Sequence, residues 1–197
     1  VERPSERPAP GNGPASQAAP SSGRPWTARL APFAGPALIV VAVLIVEHAF
    51  WIGGLLTNQH EDILGLTLPT YCFLGKSLAA GHIPLWNPFT LGGTPFAADP
   101  QSGWAFLPAM VLFATMSCGR AMRWYLVLQP LIAGLGLYAF LRSERLSRPA
   151  ATVGGVTLGL VTAISYIGLS IAFAAAVAWT TVLLATASRL FRASSWP

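Results

Sequence analysis

Charge is what this chain has least of. Only 10% of its 197 residues are Asp, Glu, Lys or Arg, against about 25% in an average soluble domain. So few charges cannot coat a water-soluble fold, and lipid must cover part of the surface. Acid is scarcer still: seven Asp and Glu stand against twelve Lys and Arg, for a net charge of +5. A basic balance often marks nucleic-acid binding. Here the basic residues flank apolar runs instead, the positive-inside pattern of membrane proteins, and no nucleic acid is expected as a partner. Cysteine is nearly absent. Cys72 and Cys118 lack C-x-x-C spacing, which leaves no basis for a metal or redox centre built on them. The preferred reading is two small apolar side chains, with a disulfide as the alternative if both face outside.

What the chain has in quantity is apolar length. Hydrophobic residues make up 53% of it, and the mean hydropathy is +0.56. Residues 1–30 are the exception: Pro4, Pro8, Pro10, Pro14, Pro20 and Pro25 alternate with small residues and four arginines. That stretch cannot bury enough apolar area to offset its chain entropy, so it reads as a disordered cytoplasmic tail. It lacks the short apolar core and cleavage site of a secretory signal. The first residue is Val and the chain closes on 193–197, so a fragment or a shortened paralogue is expected.

The fold class that follows is all-α integral membrane, with about four transmembrane helices in a domain over 31–192. The spans are 33–56, 122–141, 150–167 and 169–188, the last two joined tightly near Gly168. A long structured outer loop, 57–121, separates the first two. Pro84, Pro88, Pro95 and Pro100 forbid a continuous helix over 82–103, because each lacks an N–H and restricts its predecessor. The loop is expected to fold irregularly, with Trp86 and Phe96 turned inward. Two interfacial helices are predicted within it, at 68–80 and 104–117. The first places Leu68, Tyr71, Cys72, Gly75, Leu78 and Ala79 on one face. The second is too short to span and carries Pro108.

Basic residues set the orientation. With the tail inside, Arg3, Arg7, Arg24, Arg29, Arg142, Arg145, Arg148, Arg189 and Arg192 fall on the inner side, and Lys76, Arg120 and Arg123 on the outer. The expected location is a bacterial inner membrane, crossed several times, with the N-terminus cytoplasmic. Glu47 and His48 are the oddity. A span over 33–56 puts Glu47 deep in the bilayer, where a carboxylate costs about 2.5–3.5 kcal/mol; a helix starting nearer Trp26 puts it at the outer interface.

Candidate chemistry concentrates in the outer loop. His60, Glu61 and Asp62 cluster just past the first span, where they can act as a general base or hold a divalent metal, or simply be solvated. Lys76, Arg120 and Arg123 are the outer cations, suited to a lipid phosphate or to anchoring at the interface. Trp86, Phe89, Phe96, Trp104 and Phe106 can stack on a sugar or form an interfacial belt.

The run from Asp62 through Pro69 to Gly81-His-Ile-Pro-Leu-Trp-Asn-Pro88, followed by Gly92-Gly-Thr-Pro-Phe-Ala-Ala-Asp-Pro-Gln-Ser-Gly103 and Pro108, resembles the first outer loop of bacterial YfhO-type membrane proteins, relatives of the C-type glycosyltransferases. The resemblance implies transfer of a sugar from a polyprenyl-phosphate donor at the outer face; the residues specify no cofactor and leave a divalent metal open. It implies Asp62 as the catalytic acid, with Glu61 beside it. Lys76, Trp86, Asn87, Asp99, Gln101, Arg120 and Arg123 are the candidate substrate-binding residues. Further membrane helices are the expected protein partners. The rival readings are a non-catalytic membrane scaffold and a small transporter subunit using Glu47.

Overall fold

The computed structural model describes residues 32–48, 63–165 and 171–193. The expected tail, the His60-Glu61-Asp62 cluster, the second half of the 33–56 span and the join near Gly168 lie outside the described residues. Within them the protein is mostly helical. Helix α1 runs Ala34–Val46, and a π-helical turn at Ile63–Thr67 leads into α2, Leu68–Ala79. A two-stranded antiparallel hairpin follows, β1 (Trp86–Asn87) paired with β2 (Thr94–Pro95). Then come α3 (Leu107–Thr115), α4 (Cys118–Ser143), α5 (Arg148–Ser165) and α6 (Ile171–Ala193).

Two of these helices, α4 and α6, are long and apolar enough to cross a membrane. Their 26 and 23 residues give about 39 and about 34 Å of helix, against a hydrocarbon core of about 30 Å. The 18 residues of α5 and the 13 described residues of α1 are apolar but shorter. The loop holds helices at both positions predicted for them. Helix α2 ends one residue before the predicted limit. Helix α3 is trimmed at both ends, because Pro108 sits in its first turn, where its missing N–H is harmless, and the chain turns extended at Met116.

Helix α4 is the centre of the bundle and packs most extensively on α5 and α6. Glycines make this possible by letting backbones touch. A Cβ on Gly134 would lie 2.8 Å from the carbonyl oxygen of Gly155 in α5, and one on Gly136 would lie 3.0 Å from the Cβ of Thr181 in α6. Gly136 facing Thr181, and Ser143 hydrogen-bonded to Ser188 at 2.8 Å, keep one constant offset, so α4 and α6 run parallel. Helix α5 runs the opposite way between them in sequence. Helix α1 lies along α5 through Gly35 against Thr152, Ile39 against Gly155 and Val43 against Gly159. Pro130 within α4 is buried.

This arrangement gathers the 142–148 turn and the last turns of α6 at one end of the bundle. There Arg192 pairs with Glu144 at 2.6 Å, and Ser188 donates to the same carboxylate at 2.7 Å. The opposite end starts at Cys118, with Arg120 and Arg123 in the first turns of α4. Against that end packs the α2–α3 pair. A Cβ on Gly75 would lie 2.2 Å from the carbonyl oxygen of Phe113, so α2 and α3 touch backbone to backbone. Tyr71 stands edge-on to Phe113 and to Tyr125 of α4, at 5.2 and 5.5 Å between ring centroids. Ile63, Met122, Leu126, Ile171 and Ala174 complete this core.

Cys72 and Cys118 are disulfide-bonded, with their Cα atoms 5.3 Å apart. The preferred reading as two independent apolar side chains is therefore corrected. The bond ties α2 to the first residue of α4. Leu74, omitted from the predicted face of α2, is fully buried, whereas Ala79, included in it, is exposed.

Candidate functional site

The proline-rich loop folds as an ordered cap at the Cys118 end. Its strands need a reversal between Asn87 and Thr94, and Asn87 supplies it. Its Oδ1 accepts from the Phe89 N–H at 3.0 Å, and its Nδ2 donates to the Thr90 hydroxyl at 2.9 Å. Asn87 is buried, its side chain committed to the turn. Gly93 follows with φ +119°, and a Cβ there would strike the Trp86 indole at 2.7 Å, so only glycine admits the ring at this point. The Phe96 N–H bonds the Leu85 carbonyl at 2.8 Å. Phe96 turns inward as expected, but Trp86 does not. It stays 55% exposed, lying over the hairpin rather than under it.

The Asp99-Pro-Gln-Ser-Gly103 segment makes a second turn. Asp99 Oδ1 accepts from the Gln101 N–H at 2.8 Å, and the Asp99 carbonyl accepts from the Ser102 hydroxyl at 2.7 Å. Ser102 is fully buried, and its Oγ accepts from the Trp104 N–H at 3.2 Å. Gly103, at φ +73°, brings the chain against the Tyr71 ring, which a Cβ would approach to 3.0 Å. The turn thereby carries Asp99 and Gln101 to the rim of a small cleft shared with Leu66, Thr67, Thr70, Tyr71 and Ala172. Its volume of about 20 Å³ holds about one water. Burial pushes the Tyr71 phenol above its ordinary range; the hydrogen bond with Tyr125 opposes this, and the Asp99 charge adds to it.

Of the expected binding residues, Asp99 and Gln101 therefore meet in one place. Lys76 and Trp86 meet in another, a groove along α2 and the hairpin with Phe73, His82 and Phe89. Arg120 is exposed and Arg123 half-buried on the first turns of α4, and neither lines the cleft or the groove. Asp62 and Glu61, the expected catalytic acids, lie outside the described residues. The described chain resumes at Ile63, whose side chain is buried beside Tyr71. Among the described residues no group of three or more His, Cys, Asp or Glu is arranged to hold a metal ion. Periodicity places Tyr71 on one face of α2 with Leu68 and Gly75, but it gives no sign that Tyr71 shares a cleft with Asp99. The pairing depends on the turn at Gly103, which joins positions with no periodic relation.

Glu47 forms a separate feature. It follows α1 directly, is 1% exposed, and its Oε2 has no hydrogen-bond partner among the described residues. The next residue, His48, bonds through Nδ1 to the Ile45 carbonyl at 2.9 Å and faces outward. No protein-family model, curated protein or solved structure matches the chain.

Proposed function

We propose that this protein is a membrane glycosyltransferase-like protein of the C-type kind, with four membrane helices and an N-terminus on the cytoplasmic side, taking a sugar from a polyprenyl-phosphate donor at the outer face of a bacterial inner membrane. One observation carries the reading: an ordered, disulfide-tied loop cap brings a carboxylate and an amide, Asp99 and Gln101, beside Tyr71 at one end of two membrane-length helices. Polar groups held rigidly at that depth suit a donor whose phosphate lies among headgroups and whose tail lies in lipid. Ile63, packed under the same end, follows Asp62 directly in sequence. In this reading Asp62 accepts the proton of the acceptor hydroxyl as the sugar–phosphate bond breaks, Glu61 lies beside it, and Asp99 and Gln101 orient the sugar.

The experiment is sugar transfer in membranes from cells making the protein, with radiolabelled polyprenyl-phosphate sugars as donors. Asp62→Asn keeps the side-chain size and removes the charge. It is expected to cut transfer by at least about a hundredfold, the low end for losing a general base. Normal transfer in both Asp62→Asn and Glu61→Gln removes this segment from the chemistry.

A second reading, a non-catalytic scaffold for other membrane helices, is favoured by the groove between α4 and α6. It has a volume of about 480 Å³ and is lined by Leu131, Leu135, Gly136 and Val182, among others. Small and apolar residues on such a face suit another helix. Crosslinking from a photoreactive residue at Leu135 to a second membrane protein, with transfer absent, selects this reading.

A further inference from the structure

The β1–β2 hairpin and the residues leading into it display large apolar side chains that the fold leaves mostly uncovered. Phe89 is 84% exposed and Leu91 93%, and Ile83, Leu85 and Trp86 are exposed beside them. Five such residues fall within nine positions, a density of exposed apolar side chains that on a water-facing loop marks an interaction surface. The display is rigid. Asn87 is buried and fastens the turn, Pro84 and Phe96 are buried beneath it, and Phe73 of α2 stands edge-on to both Phe96 and Phe89, at 5.1 and 6.0 Å. These residues are held outward by an ordered hairpin.

Depth and charge identify the occupant. The disulfide fixes Cys72 of α2 to the first residue of α4, a membrane-length helix, and Lys76 lies one turn further along α2. The groove between α2 and the hairpin is lined by Phe73, Lys76, Trp86 and Phe89 among others, and no carboxylate lines it among the described residues. Of the described acids, Asp99 faces the other cleft and Glu144 the far end of the bundle, while Glu47 is buried next to α1. A tryptophan and a phenylalanine over apolar side chains, rimmed by one ammonium, match the boundary between headgroups and acyl chains.

We infer that the 83–91 hairpin is an interfacial anchor, seated in the bilayer beside the helices, and that Lys76 holds the phosphate of an anionic lipid over its groove. The inference needs only that α4 and α6 lie in a membrane, and it is independent of any transfer reaction.

The test uses the whole protein in lipid nanodiscs with a bimane on Leu91→Cys, and separately on Phe89→Cys. The two native cysteines are bonded to each other, so only the introduced thiol takes the label. Acyl-brominated lipids should quench the dye at both positions. Brominated phosphatidylglycerol should be preferred over brominated phosphatidylcholine by about fivefold, the effect of one cation near an anionic surface. Lys76→Gln should bring the two lipids to parity while leaving quenching itself in place. Quenching by an aqueous quencher but by neither lipid overturns the anchor, and shielding from both identifies a protein partner instead. Equal quenching by the two lipids in the Lys76 protein, or a preference that survives Lys76→Gln, overturns the phosphate assignment.

Discussion

Removing the disulfide with Cys72→Ala and Cys118→Ala should loosen the loop cap without dissolving the helix bundle. The bond closes a segment with a sequence separation of 46, and the chain-entropy relation assigns such a closure about 4 kcal/mol in a freely unfolding chain. Here the reference state is less free. Cys118 begins a helix held by α5 and α6, and α2 still packs on α3 through Gly75 and Tyr71. Those contacts restrict the opened cap, so the loss falls to between about 2 and about 4 kcal/mol. That corresponds to roughly 30-fold to 700-fold more frequent opening. Hydrogen exchange in nanodiscs reads it directly. The Phe96 and Ser102 amides, which bond the Leu85 and Asp99 carbonyls, should exchange faster by that factor. Amides in the middle of α4 should change little. Unchanged exchange at Phe96 and Ser102 would show that packing alone holds the cap. Equal acceleration throughout α4 would show that cap and bundle unfold as one unit.

Further outcomes follow from the packing and the charges. Gly134→Ala forces a methyl group against the Gly155 carbonyl and should destabilise the bundle by about 1–3 kcal/mol, read as a lower midpoint for unfolding in mixed detergent. An unchanged midpoint would mean that α4 and α5 are not in contact there. The Ser188 hydroxyl and the Arg192 guanidinium hold the Glu144 carboxyl below its ordinary range. A depressed carboxylate stabilises the fold above its unfolded pKa and loses that contribution as pH falls through the folded value. The Tm difference between the wild type and Glu144→Gln should therefore be present at neutral pH and close in acid; a gap that widens in acid reverses the assignment. Glu47→Gln preserves shape without charge and should leave folding intact, whereas Glu47→Lys buries a longer cation and should abolish accumulation in the membrane, measured by blotting. Accumulation of the Lys variant would place position 47 in contact with water.

Hydropathy and length located α4 and α6, the two helices long and apolar enough to cross a membrane, to within about five residues at each end, because an apolar run of that length satisfies its backbone internally as a helix. The prolines ruled out a helix over 82–103 for an equally local reason. What the sequence did not show was contact between distant segments. The bond between Cys72 and Cys118 requires α2 to lie at the start of α4, a placement that no spacing rule encodes. Trp86 was expected inside because large aromatic residues usually bury. It stays out because Gly93 offers it a backbone surface at the hairpin and Phe96 already fills the interior. Lys76, Asp99 and Arg120 looked like one set of outer polar residues, yet the cap sorts them onto separate faces. For Glu47, hydropathy left two depths open; the structure shows that its immediate surroundings are protein.

The parallel course of α4 and α6 has a consequence for the order of synthesis. Helix α4 is made before α5 and α6, and α5 joins Ile39 of α1 in covering its Gly134 side once the chain reverses at the 142–148 turn. The Gly136 side, with the buried Gln129 one face-repeat earlier, has no cover until residues 171–193 emerge. During that interval an exposed amide and a glycine notch lie open to any small-residue helix passing in the bilayer, and a competing helix docked there would block the native arrival of α6. Helix α6 is thus a neighbour that α4 gains only after α5, and the time taken to translate the residues between Ser143 and Ile171 sets how long the notch stays unguarded.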